Sequence, residues 1–505
     1  MGVPKYKALL VEDSKFLRMP NESALSRAIA RIRREWPLGV LLIIVLLVFM
    51  PTLHYSLVYD DIEQIVQNPR LTSWSYLPGY FTTHLWAHIW STYVALHKIG
   101  YYRPVFLIWL RLTYVMLGPP GAIWHLASIL AHLGATVSVF MLIRRLTGAV
   151  KDATLAATLA AGLFALHPIQ TEAVAWVSSV SESLLTVFVV ISVYFYAGRK
   201  GPISAVSLLF AALAMFTKET GIVTLALIFA YEWTRSSIKD AMIGSAPYLL
   251  PALLYLAFRI NALGQLGSGR PPIMSVEHMI LTWPRVLAAY GAHLLWPVHL
   301  SVCYEDPIEK TAVWPLILLI IVVAGLIWAI RYCPRNARLG AAWFAITLAP
   351  ALSLRYLNPG DFVHDRYLYL PFVGLALMAA VWLSRVKFDF PRVIAAAAVV
   401  LVLCVGTRLN LRIWQNEISL FGRAIETAPQ NPFAKLNLAV AYINSDRGPE
   451  AVPLLQQAIT LNPTYWRTYY VLGQYYQHTG NDAEAQRYFA ISDQVFNERA
   501  GGVSR

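Results

Sequence analysis

An all-α fold is predicted for this chain: a polytopic bundle of about eleven membrane-spanning helices, followed by a C-terminal helical-repeat α-solenoid. Three features carry that expectation. Of the 505 residues only 14% are charged and 57% are hydrophobic, whereas a soluble domain carries about 25% charged residues. Uncharged apolar runs recur between residues 37 and 407. Beyond residue 411 the composition turns polar and repeats itself at an offset of 34 residues.

The first apolar run, LGVLLIIVLLVFM within 37–57, is too long for a signal-peptide core and lacks a small-residue cleavage site, so it reads as a retained span. Further runs lie at 101–118, 122–143, 153–167, 173–198, 203–217, 220–234, 243–262, 279–298, 313–331, 340–354, 366–384 and 391–407. Basic residues decide which of these cross. Arg31, Arg33 and Arg34 put the N-terminus in the cytoplasm. If 101–118 crossed, Arg144, Arg145 and Lys151 would face outward; laid along the outer surface as an interfacial helix with Arg103 and Arg111, it restores them, with Arg199, Lys200, Arg235 and Lys239, to the inside. The same test removes 279–298, broken by Pro284, Arg285 and Pro297, and puts Arg331, Arg335, Arg338, Arg385 and Lys387 inside. Eleven spans remain. The expected division is a cytoplasmic tail at 1–35, a transmembrane domain at 36–410 with outer segments 58–121 and 263–312, and an extracytoplasmic repeat domain at 411–505.

In the tail, the 34-residue offset pairs Pro429 with Pro463, Leu438 with Leu472, Ala439 with Gly473, Tyr442 with Tyr476, Ala451 with Ala485 and Leu455 with Phe489. These are the small and large packing positions of a tetratricopeptide repeat, where Ala or Gly lets two helices of a hairpin approach. Trp414, Phe421, Ala424 and Pro429 fit the second half of an earlier repeat. Gly480 has no glycine counterpart at Asp446, so the two turns are expected to differ. Such solenoids present a concave surface to peptide or protein partners, or act as a stabilising cap.

The net charge of +13 is read as Lys and Arg held at the cytoplasmic face rather than as a nucleic-acid footprint. Cys303 and Cys333 flank one span and Cys404 lies inside another, which makes no disulfide framework. Gly-rich phosphate loops, nucleophile elbows and clustered Cys/His metal sets are missing from the sequence.

The residues able to carry chemistry fall at the outer turns. Asp60 and Asp61 follow the first span at the membrane–water boundary, where partial desolvation and mutual repulsion prepare a general base; the alternative is an ordinary polar loop start. Nearby His or Cys spacing for a metal is missing, and none is expected. His167 and Glu172 lie in the turn LHPIQTEA, with Pro168 ending one helix and Thr171 placed to cap the next. Glu182 falls deeper in the following helix and must be paired or neutral. Lys218 and Glu219 either pair with each other or leave Lys218 to a phosphate. Arg366, in HDRYLYLP, either grips a phosphate or pairs with Asp365; Arg103 and Arg355 are weaker candidates of the same kind.

In this order the motifs resemble those of the GT-C superfamily of membrane glycosyltransferases. They are more closely similar to the transmembrane O-mannosyltransferases that carry tetratricopeptide repeats, in a short prokaryote-like version. The resemblance rests on the Asp60-Asp61 pair, Tyr101-Tyr102-Arg103-Pro104, the His167-Pro168 to Val174 turn, Lys218-Glu219, the segment from Thr282-Trp283-Pro284 to Pro297, and Asp365-Arg366-Tyr367 to Pro371. It implies a polyprenyl-phosphate-linked sugar as donor, an inverting transfer with no cofactor, and an acceptor hydroxyl on a protein that the repeats contact, or on a lipid or envelope glycan. Asp60 would then take the acceptor proton and Asp61 support it. Arg366, with Lys218, His364 and Arg103, would hold the leaving phosphate, and His167, Glu172 and Glu219 would line the sugar and acceptor pocket. The implied setting is a bacterial inner membrane with the repeats in the periplasm, or an endoplasmic reticulum membrane with the repeats in the lumen. A membrane-anchored scaffold and a transporter are the other classes considered, the latter weakened by the want of matching broken helices in two halves.

Overall fold

The computed structural model describes residues 24–89, 100–148, 153–266, 272–305, 313–357, 360–387 and 389–501. Most of the expected cytoplasmic tail, Lys151 and parts of the outer segments 58–121 and 263–312 lie outside them. Among the described residues every regular element is helical. Seven helices among the described residues are long and apolar enough to cross a membrane, beginning with Glu35–His54 and ending with Phe390–Trp414, and an eighth forms if the bent pair Ala153–Leu166 and Pro168–Ala175 is one span. Ala205–Thr217 and Ile320–Tyr332 are apolar but shorter.

The helix ends rich in arginine meet at one end of the bundle. Arg144 pairs with Glu35 at 2.7 Å, and Arg145 donates to the Tyr194 carbonyl at 2.6 Å. Arg199 pairs with Glu232. Arg235 donates to Asn336 at 2.7 Å, and Asn336 to the Leu146 carbonyl at 2.6 Å. The first helix carries the chain from this basic rim to the far end, where Asp60 begins the next element. A run of 20 residues rises about 30 Å.

Close packing of small residues fixes the helix that follows the 3-10 turn bearing Arg366. Gly340 in Arg335–Leu348 and Gly374 in Tyr369–Leu383 lie back to back, and a Cβ at Gly340 would come 2.6 Å from the Gly374 carbonyl. Small residues that let two backbones touch are the usual device where lipid supplies no hydrophobic drive between helices.

Three expectations need correction. Val276–Leu295 is one continuous helix through Pro284. The run 173–198 is not one helix: Thr171–Ala175 ends where Trp176 adopts an extended conformation, and Val180–Ala197 follows a short 3-10 turn. Glu182 therefore sits in the first turn of Val180–Ala197 rather than well inside one long helix. The repeat turns also agree, since Asp446 (φ 57°) and Gly480 (φ 77°) are both left-handed. Aspartate tolerates that region because its short polar side chain bonds locally.

The repeat helices are Glu417–Thr427, Pro432–Ile443, Gly448–Leu461, Trp466–His478 and Asp482–Gly501. The paired positions pack as the spacing predicts: Ala439, Leu472, Ala451 and Leu455 are buried, and a Cβ at Gly473 would come 2.8 Å from Phe489. Replacing Gly374 by Leu is expected to overpack the Arg335–Leu348 contact and cost about 1–3 kcal/mol or more. Thermal unfolding of the purified protein in detergent measures it, and an unchanged midpoint would show that the two helices are not in contact.

Candidate functional site

After the first span the chain runs through a 3-10 turn, Met50–His54, to Tyr59, whose φ of 57° is left-handed. For a bulky residue this conformation costs about 1–3 kcal/mol and persists only where its surroundings enforce it. Here the enforcement is aromatic: the Tyr59 ring lies 5.2 Å from Trp176, 5.9 Å from Phe421 and 5.9 Å from Phe433.

The bend turns the two aspartates in different directions. Asp61 is completely buried and accepts the Ser178 amide at 2.7 Å and the Val58 amide at 3.3 Å. Burial pushes its pKa up to about 6, against the lowering effect of the Ser178 and Val58 hydrogen bonds. Asp60 is half-buried and accepts from Gln64 at 3.2 Å. Its pKa is raised to about 7 by burial first and then by Glu63, with Asp61 and Asp361 adding and Arg366 opposing. Of the two, Asp60 has the freer oxygens and the value suited to a proton acceptor near neutral pH.

Each cation is held by an acid. Arg366 pairs with Glu172, whose other oxygen accepts the Arg366 amide at 2.9 Å. Its guanidinium lies 5.0 Å from the Trp176 ring and 5.1 Å from the Tyr367 ring. Asp365 is not its partner; it accepts from Tyr304 at 2.8 Å and faces His293 at 2.9 Å. Lys218 pairs with Glu182, not with Glu219, because the turn separates the neighbours. Burial lowers its pKa, with Glu182 opposing. Glu219 instead accepts from Arg103 at 2.9 and 3.0 Å and faces Arg259 at 3.9 Å. Burial favours the neutral acid, but Arg103 outweighs it and lowers the Glu219 pKa. The turn itself requires Gly221, where a Cβ would collide with the backbone of Ala214 and Met215.

These groups surround two adjoining cavities. The smaller, about 130 Å³, is polar, and its wall includes Asp60, Arg366, Trp176, Gln64 and Ser179. The larger, about 360 Å³, adds Glu219, Arg259 and apolar side chains such as Leu185, Pro350 and Leu370. Tyr101, Arg103, Glu182, Lys218 and Tyr367 belong to both walls. A carboxyl group and a guanidinium thus share one chamber, and cations run from it into a space able to receive an amphiphile.

The remaining sequence candidates lie outside both walls. His167 faces the Leu294 carbonyl at 3.1 Å and the Phe372 ring at 4.9 Å, and it, not Thr171, caps the following turn. Glu172 stands behind Arg366, and His364 packs 3.7 Å from Glu172 and 3.5 Å from Asp361. Sequence reasoning missed Arg259 and Trp176. An arginine inside the apolar run 243–262 was the available signal for the first; an aromatic among many leaves none for the second. Among the described residues no group of three or more His, Cys, Asp and Glu side chains is arranged to hold a metal.

An apolar helical bundle with a polar cavity at one end and helical repeats beside it defines a multi-pass membrane protein of tetratricopeptide type. A tetratricopeptide-repeat profile matches residues 454–487. The chain is 24% identical over 464 residues to the protein O-mannosyl-transferase F38B6.6 of Caenorhabditis elegans, covering 89% of this chain and 65% of that protein. It is 23% identical to human protein O-mannosyl-transferase TMTC3, over 87% of this chain and 53% of the relative. To human TMTC4 it is 26% identical, over 77% and 61% respectively. The chain thus spans between about half and two thirds of the length of these relatives, and the likeness agrees with the family resemblance read from the motifs.

Glu172→Gln is expected to lower the unfolding midpoint by removing the counter-charge of a buried guanidinium, a loss of about 3–5 kcal/mol. A Glu172→Gln protein as stable as the parent would mean that Arg366 is neutralised some other way.

Proposed function

We propose that this chain transfers a hexose, such as mannose, from a polyprenyl-phosphate donor to a Ser or Thr hydroxyl of a protein on the non-cytoplasmic face. The observation that carries the reading is the shared chamber: Asp60 and Arg366, 306 residues apart in sequence, line one cavity. The names of the relatives support mannosyl transfer to protein.

In this mechanism the acceptor oxygen attacks the anomeric carbon and its proton passes to the Asp60 carboxylate. The bond from that carbon to the phosphate oxygen breaks, and its electron pair leaves with the polyprenyl phosphate. Attack from the side opposite the leaving group inverts the anomeric centre. Arg366 meets the charge that develops on the phosphate, and Lys218 and Arg103 carry it toward the larger cavity, where the apolar wall suits the prenyl chain. Asp61, both of whose oxygens accept backbone amides, orients the loop. No cofactor or metal takes part in these steps.

The transmembrane domain, 36–410, would do this chemistry and the repeats, 411–505, would meet the acceptor. A groove of about 410 Å³ on the repeats supports the second role; Trp466, Arg467, Tyr470 and Tyr475 line it. Arg467 also pairs at 3.3 Å with Glu63, on the loop that carries Asp60. The outer placement agrees with the basic rim at the opposite end of the bundle.

Asp60→Asn is expected to abolish transfer from a polyprenyl-phosphate mannose while leaving membrane insertion intact; full activity would remove Asp60 as the base. Transfer by the parent should rise with pH through about 7 and then level off, since the carboxylate must be ionised to accept a proton. The stability sign runs the other way. A carboxyl whose folded value is raised above its unfolded one costs stability as pH climbs toward about 7. Above that pH the Asp60→Asn protein should be at least as stable as the parent. Impermeant thiol labelling of single cysteines introduced at 63 and at 145 tests the face; the first reacting only from the cytoplasmic side would end the topology.

A further inference from the structure

We propose that the start of the repeat module, through Phe421, Phe433 and Trp414, is a positioning element of the catalytic centre as well as a surface for the acceptor. The inference rests on Asp60 being the base.

Several contacts bring the module to the acid loop. Phe421 in Glu417–Thr427 and Phe433 in Pro432–Ile443 both present ring edges to Tyr59, at interplanar angles of 84° and 74°. They also touch each other at 6.3 Å, so Tyr59 is seated between two helices of the module. The Ser56 amide donates to the Gln415 carbonyl at 3.0 Å, tying the loop three residues earlier. Arg467 holds Glu63 three residues after Asp60. The residue in the strained, left-handed conformation is therefore clamped from outside its own domain, and Asp60 is the next residue along the chain.

A second line reaches the other reacting group. Trp414, fully buried, stacks on Trp176 at 6.3 Å with the planes 17° apart. The Arg366 guanidinium lies 5.0 Å from that same Trp176 ring, and Tyr59 packs on it at 5.2 Å. One aromatic platform, completed by the repeats, thus sets both the carboxylate and the guanidinium. An element meant only to recruit a polypeptide needs no such continuity. Without the clamp, a bulky residue at position 59 relaxes to negative φ, and the peptide that aims Asp60 turns with it.

The test uses the full-length chain with Phe421→Ala and Phe433→Ala combined, assayed with radiolabelled polyprenyl-phosphate mannose in native vesicles. Misaiming a catalytic group by about 1 Å costs on the order of a hundredfold, so kcat should fall by that order. KM for the lipid-linked donor should hold, because Arg103, Lys218 and Arg259 are untouched. The pH at which activity rises should move down from about 7, because Asp60 becomes better solvated while Asp61, Glu63, Asp361 and Arg366 still surround it. Phe421→Tyr with Phe433→Tyr should restore much of the rate. A purely structural role would instead reduce the amount of folded protein and leave kcat and the pH limb of the folded fraction unchanged.

A second measurement needs no acceptor. In a chain whose three cysteines are replaced by serine, an Asp60→Cys thiol should react faster with a small maleimide when both phenylalanines are alanine. Unchanged kcat and pH limb, or an unchanged maleimide rate, would overturn the positioning role. If Asp60→Asn itself remains fully active, the base assignment fails instead, so the two failures are told apart.

Discussion

The carboxylate of Asp61 is the joint on which the site depends. Among the described residues it is buried with no ion-pair partner and takes two backbone amides, one from Val58 just before the acid loop and one from Ser178 at the break before Val180–Ala197. A buried carboxylate is tolerable only when its lone pairs are filled in this way. The same bonds pin the acid loop to the place where the expected long helix is interrupted, and the interruption puts Glu182 in a first helical turn. From Glu182 the pairing continues to Lys218, and through Lys218 to both cavities. Remove Asp61 and the loop, the helix start and the lysine lose their common reference.

Much of the fold was legible because its causes are local. Hydrocarbon demands long apolar helices, and those runs can be read directly. The 34-residue offset in the tail reflects hairpin packing at positions such as Ala439 and Gly473, where small residues are needed by geometry. What could not be read was set by partners distant in sequence. Arg366 was weighed against its neighbour Asp365, yet pairs with Glu172, because Asp365 is drawn to Tyr304 and His293 on another segment. Lys218 and Glu219, adjacent in the chain, face different acids and cations for the same reason. The break at Trp176 has no proline or glycine to announce it. It exists because the Ser178 amide has a better partner in Asp61 than in a helix continued from residue 174. Left-handed Asp446 likewise carries no sign beyond a residue type that tolerates the conformation.

Strain and charge meet at the acid loop, where the repeats supply both aromatic rings and the Arg467 partner of Glu63. The left-handed Tyr59 is held by aromatic side chains from the repeats and from Trp176, and its backbone amide meets the Glu417 carboxyl. The cations are held by acids that belong to the helical bundle, namely Glu172, Glu182 and Glu219.

The charge balance bears on the kind of donor the larger cavity suits. Its wall carries three cations, Arg103, Lys218 and Arg259, against two carboxylates, Glu182 and Glu219, which leaves one positive charge in excess. Arg366 is neutralised by Glu172 before any ligand arrives. A sugar linked to lipid through one phosphate carries a single negative charge and would bring the cavity to neutrality. A diphosphate would overshoot it in a site of low dielectric, where an uncompensated charge is costly. In the proposed transfer the departing phosphate would gain a second negative charge as the bond to the sugar breaks, and the response must come from groups that are already fixed. Arg366 suits that part of the proposal: Glu172 and two aromatic faces already hold its guanidinium, so a charge forming on a phosphate there would find it oriented and little reorganisation would remain.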